Sequence, residues 1–141
     1  MQASPVVRAG EVELRFLVDD SQGATDLVMF EFVVPAGARV PAAHYHRAVD
    51  EAIYGLDGTL TTTIDGRTHE IGAGDTVFIP RGSVHLHQNL HQQTARVLTV
   101  LAPGSIGRRY FEEVADVVNQ PGKPDLAKVK EIMLRHGLVP A

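Results

Sequence analysis

Up to Pro103 the chain is a succession of short β-branched and aromatic runs, each stopped by glycine, proline or aspartate. That cadence limits the possible folds more than any other feature. The runs are Val12–Val18, Leu27–Val34, Glu51–Gly55, Leu60–Ile64, Thr76–Ile79 and Ala95–Leu101. Between them lie Asp57-Gly58, Asp65-Gly66, Gly72-Ala73-Gly74-Asp75 and Pro80-Arg81-Gly82. Several short strands at this spacing argue for an antiparallel sandwich or barrel and against a βαβ fold. Asp65-Gly66, between Thr61–Ile64 and Arg67–Ile71, reads as a tight hairpin.

From Ser105 onward the apolar period changes to about 3.6 residues. Phe111, Val114, Ala115 and Val118 form the stripe of one helix, and Leu126, Val129, Ile132 and Met133 that of a second. Pro121-Gly122-Lys123-Pro124 separates them, Asp125 is placed to cap the second, and Gly137 to end it, with Pro140 beyond. Such helices cover a barrel face, form an oligomer seam or move as a lid. A length of 141 residues is that of one domain. We therefore expect a single unit over 1–141, with the barrel over about 10–103 and a helical extension over about 105–137.

Net charge is -4, which argues against a general surface for nucleic acid or an anionic membrane. There are no cysteines, so disulfides, thiolate zinc sites, iron–sulfur clusters and cysteine nucleophiles are excluded. A chain without cysteine fits a reducing cytoplasm, and no apolar run has the length of a signal peptide or a membrane helix. The unusual feature is seven histidines. His44 and His46 lie two residues apart, so on a strand both imidazoles point the same way. A short return can bring Glu51 to that face. His85, His87 and His91 follow the Pro80–Gly82 turn. Imidazoles suit zinc, copper, iron and nickel, and a carboxylate widens the set toward manganese. Read alone, a His-x-His pair is equally a pair of hydrogen-bonded surface or core histidines.

The spacing of these residues is more specific. The first block is His44-x-His46-x4-Glu51-x6-Gly58, and the second is Gly74-x5-Pro80-x-Gly82-x2-His85-x3-Asn89. Together they resemble the paired motifs of the cupin superfamily, over roughly residues 10 to 103. One departure is Gly37, which is followed by six residues before His44 where the family usually has five. Val33–Gly37, Asp50-Glu51 and the Ala102-Pro103-Gly104 opening of the tail look like the small single-domain cupins labelled quercetin-dioxygenase-like. The resemblance implies an all-β fold, a small antiparallel jelly-roll barrel, here with two C-terminal helices. It implies one divalent transition metal per chain (Fe, Mn, Ni, Cu or Zn), held by His44, His46, Glu51 and His85. Three imidazoles and a carboxylate leave coordination positions open, as in catalytic rather than structural sites. The ion would act as a Lewis acid, activate water, or hold substrate and dioxygen together. Gly58 and Gly82 would serve backbone conformations that a Cβ disfavours, and Asn89 would support a turn.

Around this set, His87 shares the parity of His85 and is the candidate to orient a ligand or move a proton. Otherwise it is a rim histidine. Glu51 or His87 would take a proton from bound substrate. Phe30, Phe32, Ile53 and Phe78 are either pocket wall or plain core. Tyr45 and Tyr54 alternate away from the ligands. Arg81 is either a surface charge or a rim cation that attracts anions. His69 and His91 are expected in solvent, and His136 at a helix end. The first functional reading is a dioxygenase-like oxidoreductase acting on a small organic molecule, aromatic or 1,3-dicarbonyl. The alternatives are a metal-bearing barrel that senses or carries a small ligand, or a metal-dependent isomerase or hydrolase. The complete ligand set disfavours metal-free sugar epimerases, and the length disfavours a two-barrel oxalate decarboxylase. A homodimer is expected, because open sheet edges need covering.

Overall fold

Alternation of apolar and polar residues along the strands builds two antiparallel sheets that face one another across an apolar interior. The structure is a computed structural model and describes residues 4–23 and 26–141. The strands are β1 (Val6–Ala9), β2 (Val12–Val18), β3 (Val28–Val34), β4 (His44–His46), β5 (Asp50–Asp57), β6 (Leu60–Ile64), β7 (Arg67–Ile71), β8 (Thr76–Ile79), β9 (His85–Gln88), β10 (Ala95–Ala102) and β11 (Leu138–Pro140). Two helices, α1 (Arg108–Val118) and α2 (Leu126–Arg135), lie between β10 and β11. One sheet has the order β1-β2-β3-β10-β5-β8 and the other β11-β4-β9-β6-β7. The sheets are not closed into a continuous cylinder, but the architecture is the expected all-β one with two C-terminal helices.

Strand parity decides what faces inward. Along β10 the buried residues are Ala95, Val97, Thr99 and Leu101. β2 contributes Val12, Leu14 and Phe16, and β3 contributes Phe30 and Phe32. Phe111 of α1 closes this layer, its ring centroid 5.8 Å from Phe16 and 5.3 Å from Phe30. Each such ring contributes about 1.5–3 kcal/mol when fully buried. On β5 and β8 the register pairs Glu51 with Ile79 and Ala52 with Phe78. Glu51 and Ile79 therefore point inward, and Phe78 points out, 61% exposed. Phe78 is neither pocket wall nor core, which corrects one expectation. Ile53 is core.

The helices also differ in detail from their stripes. α1 buries Tyr110, Ala115 and Val117, while Val118 is only half-buried. The reason is that α1 packs both on β1 and on α2. Asn119, just past its end, ties it to the β1–β2 turn. Its Nδ2 donates to the Arg8 carbonyl at 2.7 Å and its Oδ1 accepts from the Gly10 N–H at 2.7 Å. Asp125 caps α2 by accepting from the Lys128 N–H at 3.1 Å. Leu126, the first residue of α2, is 73% exposed and lies off the packed face, where Ile132 and Met133 are buried. Beyond Gly137 the chain returns as β11, outside the span where strands were expected. Among the described residues no helix is long and apolar enough to cross a membrane.

Two turns show why glycine stands where it does. Asp65 (φ 48°) and Gly66 (φ 83°) make the two-residue β6–β7 turn, whose positive φ angles match the strand twist. Gly58 (φ 63°) lies against the Thr94 backbone, and an added Cβ would run into the Thr94 carbonyl oxygen. Gly66 has open space around it. We expect Gly66→Ala to cost about 1 kcal/mol from left-handed strain alone, and Gly58→Ala about 3 kcal/mol from strain plus overpacking. Chemical denaturation of the two variants checks this; equal losses would contradict it.

Candidate metal centre

The five-stranded sheet supplies imidazoles and the six-stranded sheet supplies one carboxylate. On β4, His44 and His46 sit two apart; on β9, His85 and His87 do the same, and His44 pairs with His85 across the ladder. The His44 and His46 ring centroids lie 4.6 and 4.8 Å from that of His85, and the His87 centroid 5.4 Å from it. Glu51 enters from β5 opposite them. Its Oε1 lies 3.5 Å from His85 Nε2 and 3.8 Å from His46 Nε2, while its Oε2 is 2.9 Å from His87 Nε2.

Hydrogen bonds at the outer nitrogens leave the inner ones free. His44 Nδ1 donates to the Ala42 carbonyl at 2.7 Å and His85 Nδ1 to the Ser83 carbonyl at 3.0 Å. His46 has a backbone hydrogen bond at Val49. Backbone carbonyls in this position fix the tautomer and present Nε2 as a lone-pair donor, the usual second contact of a metal-bound histidine. His85 is 2% exposed, and its Nε2 is fully buried without a hydrogen-bond partner. His87 is held differently. Glu51 as a carboxylate can only accept, so His87 Nε2–H donates to it, and the buried Thr62 hydroxyl donates to His87 Nδ1 at 2.9 Å.

The electrostatics ask for a cation at this point. Burial works against a charged Glu51, yet its contacts with His85 and His87 outweigh this and hold the carboxyl well below its ordinary range. Burial, helped by the nearby His85, pushes His44 down to about 4. Burial also lowers His46, despite Glu51. His85 moves the other way, because Glu51 outweighs the effect of burial and raises it. A buried carboxylate thus faces a buried, orphaned nitrogen across 3.5 Å, a gap that a positive charge satisfies. The candidate ligand atoms form two triads that share His85, His44–His46–His85 and Glu51–His85–His87, and each can hold a metal ion. The expected set of His44, His46, Glu51 and His85 straddles the two, and the donors fit a divalent transition metal.

These groups open onto a cavity of about 90 Å³. Phe30, Phe32 and Leu101 form part of its wall, and so do four residues of the α1 region, Ile106, Tyr110, Phe111 and Val114. The α1 helix therefore shapes the site and does not merely cover a face. Spacing rules gave no sign of this contribution, nor of Thr62 and Leu138. Arg81 does not serve the mouth. Its Nε and one terminal nitrogen reach Asp50 at 3.1 and 3.3 Å, which corrects the rim-cation reading. Asn89 supports its turn, donating to the Val34 and Gln93 carbonyls at 2.9 and 2.7 Å. His69 is exposed, His91 pairs with Glu70 at 2.8 Å, and His136 with Glu113 at 2.6 Å, all away from the centre.

The family model for the cupin domain matches residues 30–101, just over half of the chain. The chain belongs to the cupin family. This cupin is 33% identical over 82 residues to quercetin 2,3-dioxygenase of Bacillus subtilis, a match that covers 58% of this chain and 23% of that enzyme. It is 31% identical over 81 residues to the polyketide synthase protein CurC of Streptomyces cyaneus, covering 57% of this chain and 52% of that protein. The chain therefore spans only about a quarter of the first of these relatives and about half of the second. Among solved structures, an RmlC-like cupin from Shewanella frigidimarina superposes with a TM-score of 0.62 at 19% identity, over 77% of this chain and 88% of that one. That likeness concerns the fold alone.

One support of the centre is particular to the tail. β4 has only three residues and meets β9 at a single register pair. Its other edge is covered by β11, with Leu138 opposite His46 and Pro140 opposite His44. The Arg47 N–H donates to the Gly137 carbonyl and the Ala141 N–H to the Ala43 carbonyl, both at 2.9 Å. β11 therefore fixes the strand that carries two imidazoles. Deleting residues 138–141 is expected to weaken binding of added Zn(II) or Ni(II) about tenfold or more, the usual loss when a ligand's support is removed. Competition with a chromophoric chelator measures this; unchanged affinity in a folded truncation would contradict it.

Proposed function

We propose that this cupin is a metal-dependent, dioxygenase-like oxidoreductase acting on a small organic substrate. The observation that carries the reading is the pair of triads, His44–His46–His85 and Glu51–His85–His87, that share His85 and line an apolar cavity. His44, His46, Glu51 and His85 would hold one ion per chain, with Fe, Mn, Ni, Cu and Zn all compatible with the donors. Bound there, the ion supplies Lewis acidity and open positions for substrate and dioxygen. The 33% identity to quercetin 2,3-dioxygenase of Bacillus subtilis supports the same class.

The chain's own residues have distinct tasks in this proposal. Phe30, Phe32, Leu101 and Phe111 keep water from the reacting end. Glu51 accepts the proton of an enol or phenol as that group becomes an oxyanion. His87 keeps the Glu51 carboxylate oriented through Oε2, with Thr62 fixing the imidazole from behind, and shares the proton after transfer. Dioxygen from solution is the oxidant, and both of its atoms enter the product as the substrate loses four electrons. In an oxygen-electrode assay on metal-reconstituted protein, Glu51→Gln should leave the fold intact, judged by circular dichroism. It should slow oxygen uptake by about 100-fold or more, the ordinary contribution of a general base. Full activity in that variant would remove Glu51 from the mechanism. Tight ligand binding with no oxygen consumed would make the barrel a carrier or sensor.

A further inference from the structure

We infer that the ligand of this site is a small molecule of about four or five non-hydrogen atoms, with an uncharged, apolar body and one oxygen-bearing end: a carbonyl or enol. The inference rests on the reading of the His–Glu cluster as the end that meets the ligand's oxygen. It goes further in excluding flavonols, sugar phosphates and dicarboxylates from the same cavity.

Size is the first argument. The cavity measures about 90 Å³. An engineered protein cavity that accepts benzene is about 150 Å³, so a three-ring flavonol cannot be enclosed here. Charge is the second. Among the described residues, the lining contains no lysine, arginine or aspartate, and its one ionised acid is Glu51. Arg81, Arg96 and Arg108 are paired elsewhere: Arg81 with Asp50, Arg96 with Glu31, and Arg108 with Asp19 and Glu112. A phosphate, or the second carboxylate of a dianion, would enter without a partner and beside a buried negative charge. Hydrogen bonding is the third. Outside the His–Glu cluster only Thr99 and Tyr110 bring hydroxyls to the lining. A sugar would leave most of its hydroxyls unpaired. The Tyr110 hydroxyl has no hydrogen-bond partner among the described residues, and burial pushes its phenol well above the ordinary value, so it remains a neutral donor.

The test uses full-length protein with isotope-labelled leucine and valine methyls. The probes are acetone and 2-butanone on one side, and glucose 6-phosphate, glutarate and quercetin on the other. Each is titrated into metal-free and into zinc-loaded protein. The expected result is saturable shifts of the Leu14, Leu101 and Val114 methyls with the two small probes in both forms. The other three should bind at least tenfold more weakly or leave these methyls unmoved. Val114→Ala, a modest enlargement of the wall, should tighten phenol binding at least tenfold relative to 2-butanone; Phe111→Leu serves if that variant does not fold. Equal or tighter binding of glucose 6-phosphate, glutarate or quercetin at these methyls overturns the inference, as does silence of the small probes in both forms. Because the metal-free arm does not depend on an ion, failure of the metal reading would appear separately, as absence of zinc uptake.

Discussion

A carboxylate from one sheet buried among the imidazoles of the other is the interaction on which the rest of this structure depends. Burying an ion without compensation costs on the order of several kcal/mol. Glu51 is compensated by His87 at 2.9 Å on one oxygen and faces His85 and His46 at 3.5 and 3.8 Å on the other. The two oxygens thus have separate partners. One is committed to an imidazole that Thr62 fixes in place. The other looks toward His46 Nε2 and toward His85 Nε2, which the bond of His85 Nδ1 to the Ser83 carbonyl leaves free. Sheet register, tautomer and charge bring these groups into one cluster, whose two triads could hold a metal ion.

The remaining architecture serves that cluster. Pairing of β5 with β10 and β8 directs Glu51 inward and Asp50 outward, where Asp50 takes up Arg81. The Gly82 N–H donates to the His46 carbonyl at 2.8 Å, so the turn before β9 also grips β4. On the far side β11 completes the ladder. Phe16, Phe30 and Phe111 pack together, and the same layer that stabilises the fold gives the cavity much of its apolar wall.

Much of this was legible in the sequence where the cause is local. β2, β6 and β8 run over the residues their β-branched runs indicate, because each run is bounded by its own turn chemistry. The common direction of His44 with His46 and of His85 with His87 follows from a two-residue period. The spacing of the two motifs also led to the family. What escaped depends on contacts distant in sequence. Phe78 was misjudged because parity gives two faces and not which one is inside; the pairing with β5 decides that. Arg81 was free in the sequence and is bound to Asp50, 31 residues away, in the structure. Tyr110, Phe111 and Leu138 carry no motif, and only the docking of α1 and β11 brings them to the cavity.

The measurement that bears most directly on the account is elemental analysis of the protein purified without a histidine tag or chelator, beside a His85→Ala variant shown to be folded. The account predicts about one Fe, Mn, Ni, Cu or Zn per native chain and its loss in the variant, since His85 Nε2 is the buried donor with no other partner. Native protein without metal that also takes none up on titration would contradict it. The buried Glu51 would then be satisfied by a protonated His85 and by His87 alone.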